Sequence, residues 1–216
     1  MTIRLQEVHP SLVHLPIALV PVAIGADIMG RATGNRSLLE MGRRSMELAA
    51  AGAAVSAMSG LVAQEEVNVH DETMDMLITH RNINLAATVM TGLLALWRSE
   101  RYRPSRTYLG LGLASIAAFV YSAYLGGTLV YQYGVGVAPA GGQWRANAPA
   151  IGAGRPAAVV KDVATDLAHG VKHLVQELAK GKLVPWLTDG HGPRHVVVTE
   201  GAENAKAAQA AHPPAT

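Results

Sequence analysis

Four histidines, His9, His14, His70 and His80, lie within or beside apolar stretches of a chain that carries nine histidines and no cysteine. An imidazole near a bilayer is costly unless it is paired, ligated or wet, so such groups are candidates for function. The lack of thiols excludes disulfides, thiolate zinc, cysteine-ligated iron–sulfur clusters and covalently attached c-type haem. Histidine, carboxylate and backbone oxygen remain as ligands. Two histidines on different helices at similar depth are the minimum set for bis-imidazole haem b in a helical bundle. The expected pair is His14 with His80, with His9 or His70 as substitutes. The competing reading is that each imidazole caps a helix or reaches headgroup water.

The residues around these histidines sharpen both readings. In HPSLVHLPIAL, residues 9 to 19, His14 falls about one turn inside an apolar run. Pro16 and Pro21 each remove a backbone donor, freeing the carbonyls of Leu12 and Ile17 and predicting a kinked helix entrance. His80 and Asn84 are four apart and share a helix face. The amide can fix the tautomer of His80 or bond a neighbouring helix. Asp27 lies about 20 Å beyond His14 along a helix, too far to orient it, and is expected to meet an arginine of the first or third connection.

The elements that must position these groups are apolar helices. Half of the residues are apolar and only 16% are charged, against about a quarter in ordinary soluble domains. Four windows approach the roughly 20 apolar residues that a membrane helix needs: about 11–30, 45–64, 80–97 and 107–131. The third is the weakest, because His80, Arg81, Asn82 and Asn84 fall in its first turns. The composition predicts an all-α, integral membrane four-helix bundle over residues 1–137. Gly52, Ser56 and Gly60 mark the second span as a packing element, since small residues at this spacing let helix backbones approach closely.

The connections give an orientation. The first carries Arg31, Arg36, Arg43 and Arg44, and the third carries Arg98, Arg101, Arg103 and Arg106. The second is acidic, with Glu65, Glu66, Asp71, Glu72 and Asp75. Arginine-rich short loops stay inside, which predicts an inner-membrane, multi-pass protein with both termini and all four histidines on the external side. No small-x-small cleavage site directly follows the first apolar run.

The run His9 to Leu19, then Asp27, Ser59-Gly60, His80 with Asn84, and the closing LGGTLVYQYGVGV from Leu125 to Val137 resemble a bacterial membrane family, that of domain of unknown function 2231. The resemblance covers about residues 5–138. It implies four membrane helices, a layout similar to small b-type cytochrome domains, and haem or electron transfer beside redox partners. Two departures stand out: Leu15 replaces an aromatic residue before the proline, and Ala63-Gln64 replaces an acidic position after the second-helix glycine, with Glu65 and Glu66 displaced beyond it.

In the closing motif, Gly126-Gly127 permits a close approach, and Tyr131 and Tyr133 suit the interfacial aromatic belt. From residue 138 the chain is a tail rich in Ala, Gly and Pro, and all five lysines fall after residue 160. About 157–180 is amphipathic: Val160, Val163, Leu167, Val171, Leu174, Val175 and Leu178 form one stripe, and Asp162, Asp166, His169, His173 and Glu177 the other. It predicts a helix on the membrane surface or on a partner. His169 and His173 are read as solvated, and the end beyond Asp189 as disordered.

No basic face interleaved with aromatics suggests nucleic acid. Neither Ser59 nor Ser115 has a histidine and carboxylate in register, so a stand-alone catalyst is not expected. The expected partners are the lipid bilayer and a redox partner or larger membrane complex. The alternatives to haem are a cofactor-free scaffolding subunit and a histidine metal site.

Overall fold

A computed structural model describes residues 3–136, 150–151 and 156–189. The helices are α1 (Leu5–Leu12), α2 (His14–Thr33), α3 (Arg36–Glu66), α4 (Asp71–Ser99), α5 (Arg106–Tyr131), α6 (Pro156–Ala179) and α7 (Pro185–Thr188). A minimal antiparallel pairing joins β1 (Ile3–Arg4) to β2 (Ala150–Ile151), returning the tail to the start of the chain.

Near Pro16, where a kink is expected, the helix is interrupted, while Val13 keeps right-handed helical backbone angles (φ −63°, ψ −20°). The break between α1 and α2 falls at Val13, next to the Leu12 carbonyl that loses its donor when Pro16 stands four residues on. Pro21 stays inside α2. Gly34, in the left-handed conformation that glycine adopts without penalty, ends α2, and Asn35 caps α3 by accepting from the amides of Ser37 and Leu38 at 2.9 and 3.3 Å. The first connection is therefore much tighter than expected. Arg36, Arg43 and Arg44 stand on α3 itself, which starts nine residues before the predicted span. Its early turns are held by Arg43 and Arg44 pairing with Glu40, and Arg43 with Glu47.

Three segments are long and apolar enough to cross a membrane by length and composition: Val8–Thr33, Arg36–Glu66 and Arg106–Tyr131. The fourth expected span, 80–97, lies in α4, which is helical and packs between α3 and α5 but is not among these three. Its polar first half has structural uses. Thr79 Oγ1 accepts from the Trp186 amide at 3.0 Å, and Asn82 Nδ2 donates to the carbonyls of Lys182 and Leu183 at 3.1 and 2.6 Å. Arg81 Nη1 donates to Gln64 Oε1 at 3.2 Å. These side chains hold the tail and α3 rather than facing lipid.

Two apolar clusters make the core. The larger joins α2 to α5 through Val20, Ile24, Met46, Leu94, Tyr108 and Phe119. The smaller, near the α3–α4 connection, gathers Val69, Met76, Leu125, Leu129 and Val135. Along α4 and α5 the two clusters flank His80 and Ser122. Four of the histidines mark this end of the bundle, termed the histidine end; the opposite end carries the arginines of the first and third connections.

Candidate functional site

The fold brings His80 together with His9, their ring centroids 6.5 Å apart and their planes at 83°. His14 is exposed on the outside of α2 and His70 is exposed at the start of α4. The geometry thus pairs the expected His80 with one of the named substitutes, not with His14. The reason is helical phase. The helix begins at Leu5, well before the expected span, so His9 is already on it. Seven residues bring a position back to nearly the same face, and His9 is followed at that interval by Pro16, Ala23 and Gly30, all three buried. Five residues carry His14 to the other side.

Each ring is seated by a helix of small residues. His9 Nδ1 donates to the Ser56 carbonyl at 3.1 Å and lies 3.1 Å from Ser59 Oγ. A methyl group on Gly60 would stand 3.0 Å from the same ring, and one on Gly52 2.9 Å from Leu15 Cβ. The stripe of Gly52, Ser56 and Gly60 is the packing element that its composition predicted. His80 Nδ1 donates to the Ser122 carbonyl at 2.9 Å, and Gly126 lies so close that a methyl there would be 2.9 Å from the ring.

Because a carbonyl accepts only from a protonated nitrogen, both rings carry their proton on Nδ1. Nε2 is the lone-pair nitrogen in each. Asn84 Nδ2 lies 3.2 Å from His80 Nε2 and donates to Ser122 Oγ of α5 at 2.5 Å. Among the described residues no three His, Asp or Glu side chains converge as a metal-binding group. Tyr131 is 89% exposed, as an interfacial anchor would be. Tyr133 is half-buried, and burial, with the Glu72 carboxylate adding to it, pushes its phenol up.

At the arginine end, Asp27 has the arginine partner expected of it. Arg98 Nη2 and Nε donate to its carboxylate at 2.8 and 2.9 Å, with side-chain exposures of 2% and 0%. Arg98 Nη2 also donates to the Leu39 carbonyl at 2.8 Å, which ties α2, α3 and α4 at one point. Gly42 makes room for the carboxylate, since a methyl there would lie 2.5 Å from Asp27 Oδ1. Arg31 Nη1 donates to the Pro104 carbonyl at 2.7 Å, so the first and third connections meet at this end.

A helical bundle with three spans of this length and apolarity is an all-α membrane protein. The chain belongs to the family of domain of unknown function 2231, whose model, described as a predicted membrane protein, matches residues 6–139. Comparison with curated proteins and with solved structures returned no match.

Proposed function

We propose that the protein is a membrane-embedded b-type haem carrier in which His9 and His80 hold the iron. One observation carries this reading. Two imidazoles from different helices lie side by side, each with Nδ1 committed to a backbone carbonyl, which leaves Nε2 of each as the lone-pair nitrogen that iron would take, that of His80 in exchange for its contact with Asn84 Nδ2. That outer bond fixes ring orientation and raises ligand basicity, as it does for other metal-binding histidines. Bound haem would supply a one-electron couple, and the protein would then pass electrons to a partner at this end of the bundle. The arginine-rich connections meet at the opposite end, which under the positive-inside rule supports an external histidine end in the plasma membrane with both termini on that side.

A second reading is favoured by a different observation. Asn84 Nδ2 sits 3.2 Å from His80 Nε2, and Gly60 and Gly126 fit the bare rings closely. In a cofactor-free scaffold, those contacts would be the purpose of the site, and the histidines would join α1 to α3 and α4 to α5. The purified protein, after addition of haem, separates the two. The carrier shows a Soret band and dithionite-sensitive visible bands at a stoichiometry of one haem per chain. A scaffold shows only the spectrum of free haem.

A further inference from the structure

The tail helix α6 has three faces rather than two. At about 100° per residue, Asp162, Asp166, Gly170, His173 and Glu177 fall on one face. Val163, Leu174, Leu167, Val160, Leu178, Val171 and Val175 follow on one flank, and His169, Gln176, Thr165, Lys172 and Lys161 on the other. The first face is the one docked on the bundle. Asp166 is 5% exposed. Gly170 is pressed so closely on α3 that a methyl there would lie 2.5 Å from the Leu61 carbonyl. His173 Nδ1 lies 2.8 Å from Glu65 Oε1. The outer part of the predicted apolar stripe is left uncovered instead, with Val160, Val171, Val175 and Leu178 between 42% and 69% exposed, while Val163, Leu167 and Leu174, nearer the docked face, are half-buried.

Both contacts of α6 on α3, Gly170 against Leu61 and His173 against Glu65, fall in the last two turns of a candidate span, so α6 docks where that span meets the membrane surface. Lys161 and Lys172 lie on the polar flank, where their ammonium groups suit headgroup phosphates. We propose that α6 is an interfacial collar: it docks on α3 by its acidic face, sinks its apolar flank among lipid acyl chains and leaves its polar flank in water. The occupant of the exposed stripe is the bilayer. This holds whether or not the histidine pair binds haem.

The native chain has no cysteine, so single nitroxide labels can be placed on the full-length protein in lipid bilayers without removing any residue first. Labels at Val171→Cys and Val175→Cys are compared with labels at Thr165→Cys and Gln176→Cys, all at exposed positions. Collision rates are read with oxygen, which concentrates in lipid, and with a water-soluble nickel chelate. The collar predicts that oxygen dominates at 171 and 175 and the nickel chelate at 165 and 176. Equal nickel accessibility on both flanks overturns it, because the stripe then faces water. Shielding of 171 and 175 from both reagents also overturns it, and a dipolar coupling between labels at 175 would then assign the stripe to a second copy of the chain.

Discussion

Replacing Asp27 by Asn should unlock the arginine end. The substitution keeps the shape but leaves the Arg98 guanidinium, 2% exposed, without its carboxylate. Breaking a buried pair by removing one partner costs about 3–5 kcal/mol, because an uncompensated charge stays buried. At about 1.4 kcal/mol per factor of ten, the folding equilibrium falls at least about a hundredfold. Arg98→Met should cost a similar amount by stranding Asp27. The double variant, Asp27→Asn with Arg98→Met, leaves no charge behind and should recover most of the loss. The recovery is incomplete, because Arg98 also donates to the carbonyls of Leu39 and Arg101, and each lost bond costs about 1 kcal/mol. Equilibrium unfolding in mixed micelles, read by helical circular dichroism, gives the three values for a double-mutant cycle. If the single effects simply add, within about 0.5 kcal/mol, the two groups are not coupled and the account of this end fails.

Two further outcomes follow from the close approaches. Gly60→Ala and Gly126→Ala put a methyl 3.0 and 2.9 Å from the rings of His9 and His80. Each should lower haem occupancy while leaving the bundle folded, as measured by the ratio of Soret to protein absorbance and by circular dichroism; unchanged occupancy in both would show that the rings are not fixed by these contacts. Gly170→Leu drives a side chain into the α3 backbone at Leu61. Trypsin should then cleave at Lys161 and Lys172 faster than in the native protein, and an unchanged cleavage rate would show that α6 is not held at this point.

Much of the scaffold is legible in the sequence because it depends on local rules. The helical apolar windows, the glycine and serine stripe of α3, the break ahead of Pro16 and the partner of Asp27 follow from composition, spacing and charge. The choice between His9 and His14 required knowing where the first helix starts. The apolar window begins near residue 11, whereas α1 begins at Leu5, so the window leaves out a histidine that the helix contains. The signal was present in the seven-residue recurrence of His9, Pro16, Ala23 and Gly30.

For α4, hydropathy alone cannot separate a polar helix end from one whose polar groups are taken up by neighbours. Asn82 and Thr79 are used by the tail about a hundred residues later in the chain, which no local window reports. Amphipathicity located α6 but not its docking face, which is set by Gly170 against Leu61 and by acids turned toward the bundle. The disordered end expected beyond Asp189 lies outside the described residues.

The central claim is that His80 shares its site with His9 and that His14 lies outside it. Its most direct test is the haem titration of three single variants, His9→Ala, His14→Ala and His80→Ala, each followed by the reduced-minus-oxidised visible spectrum. The account predicts that the bis-imidazole bands survive in His14→Ala and are lost in both His9→Ala and His80→Ala. Bands that persist without His9 or without His80, or that disappear without His14, would contradict it.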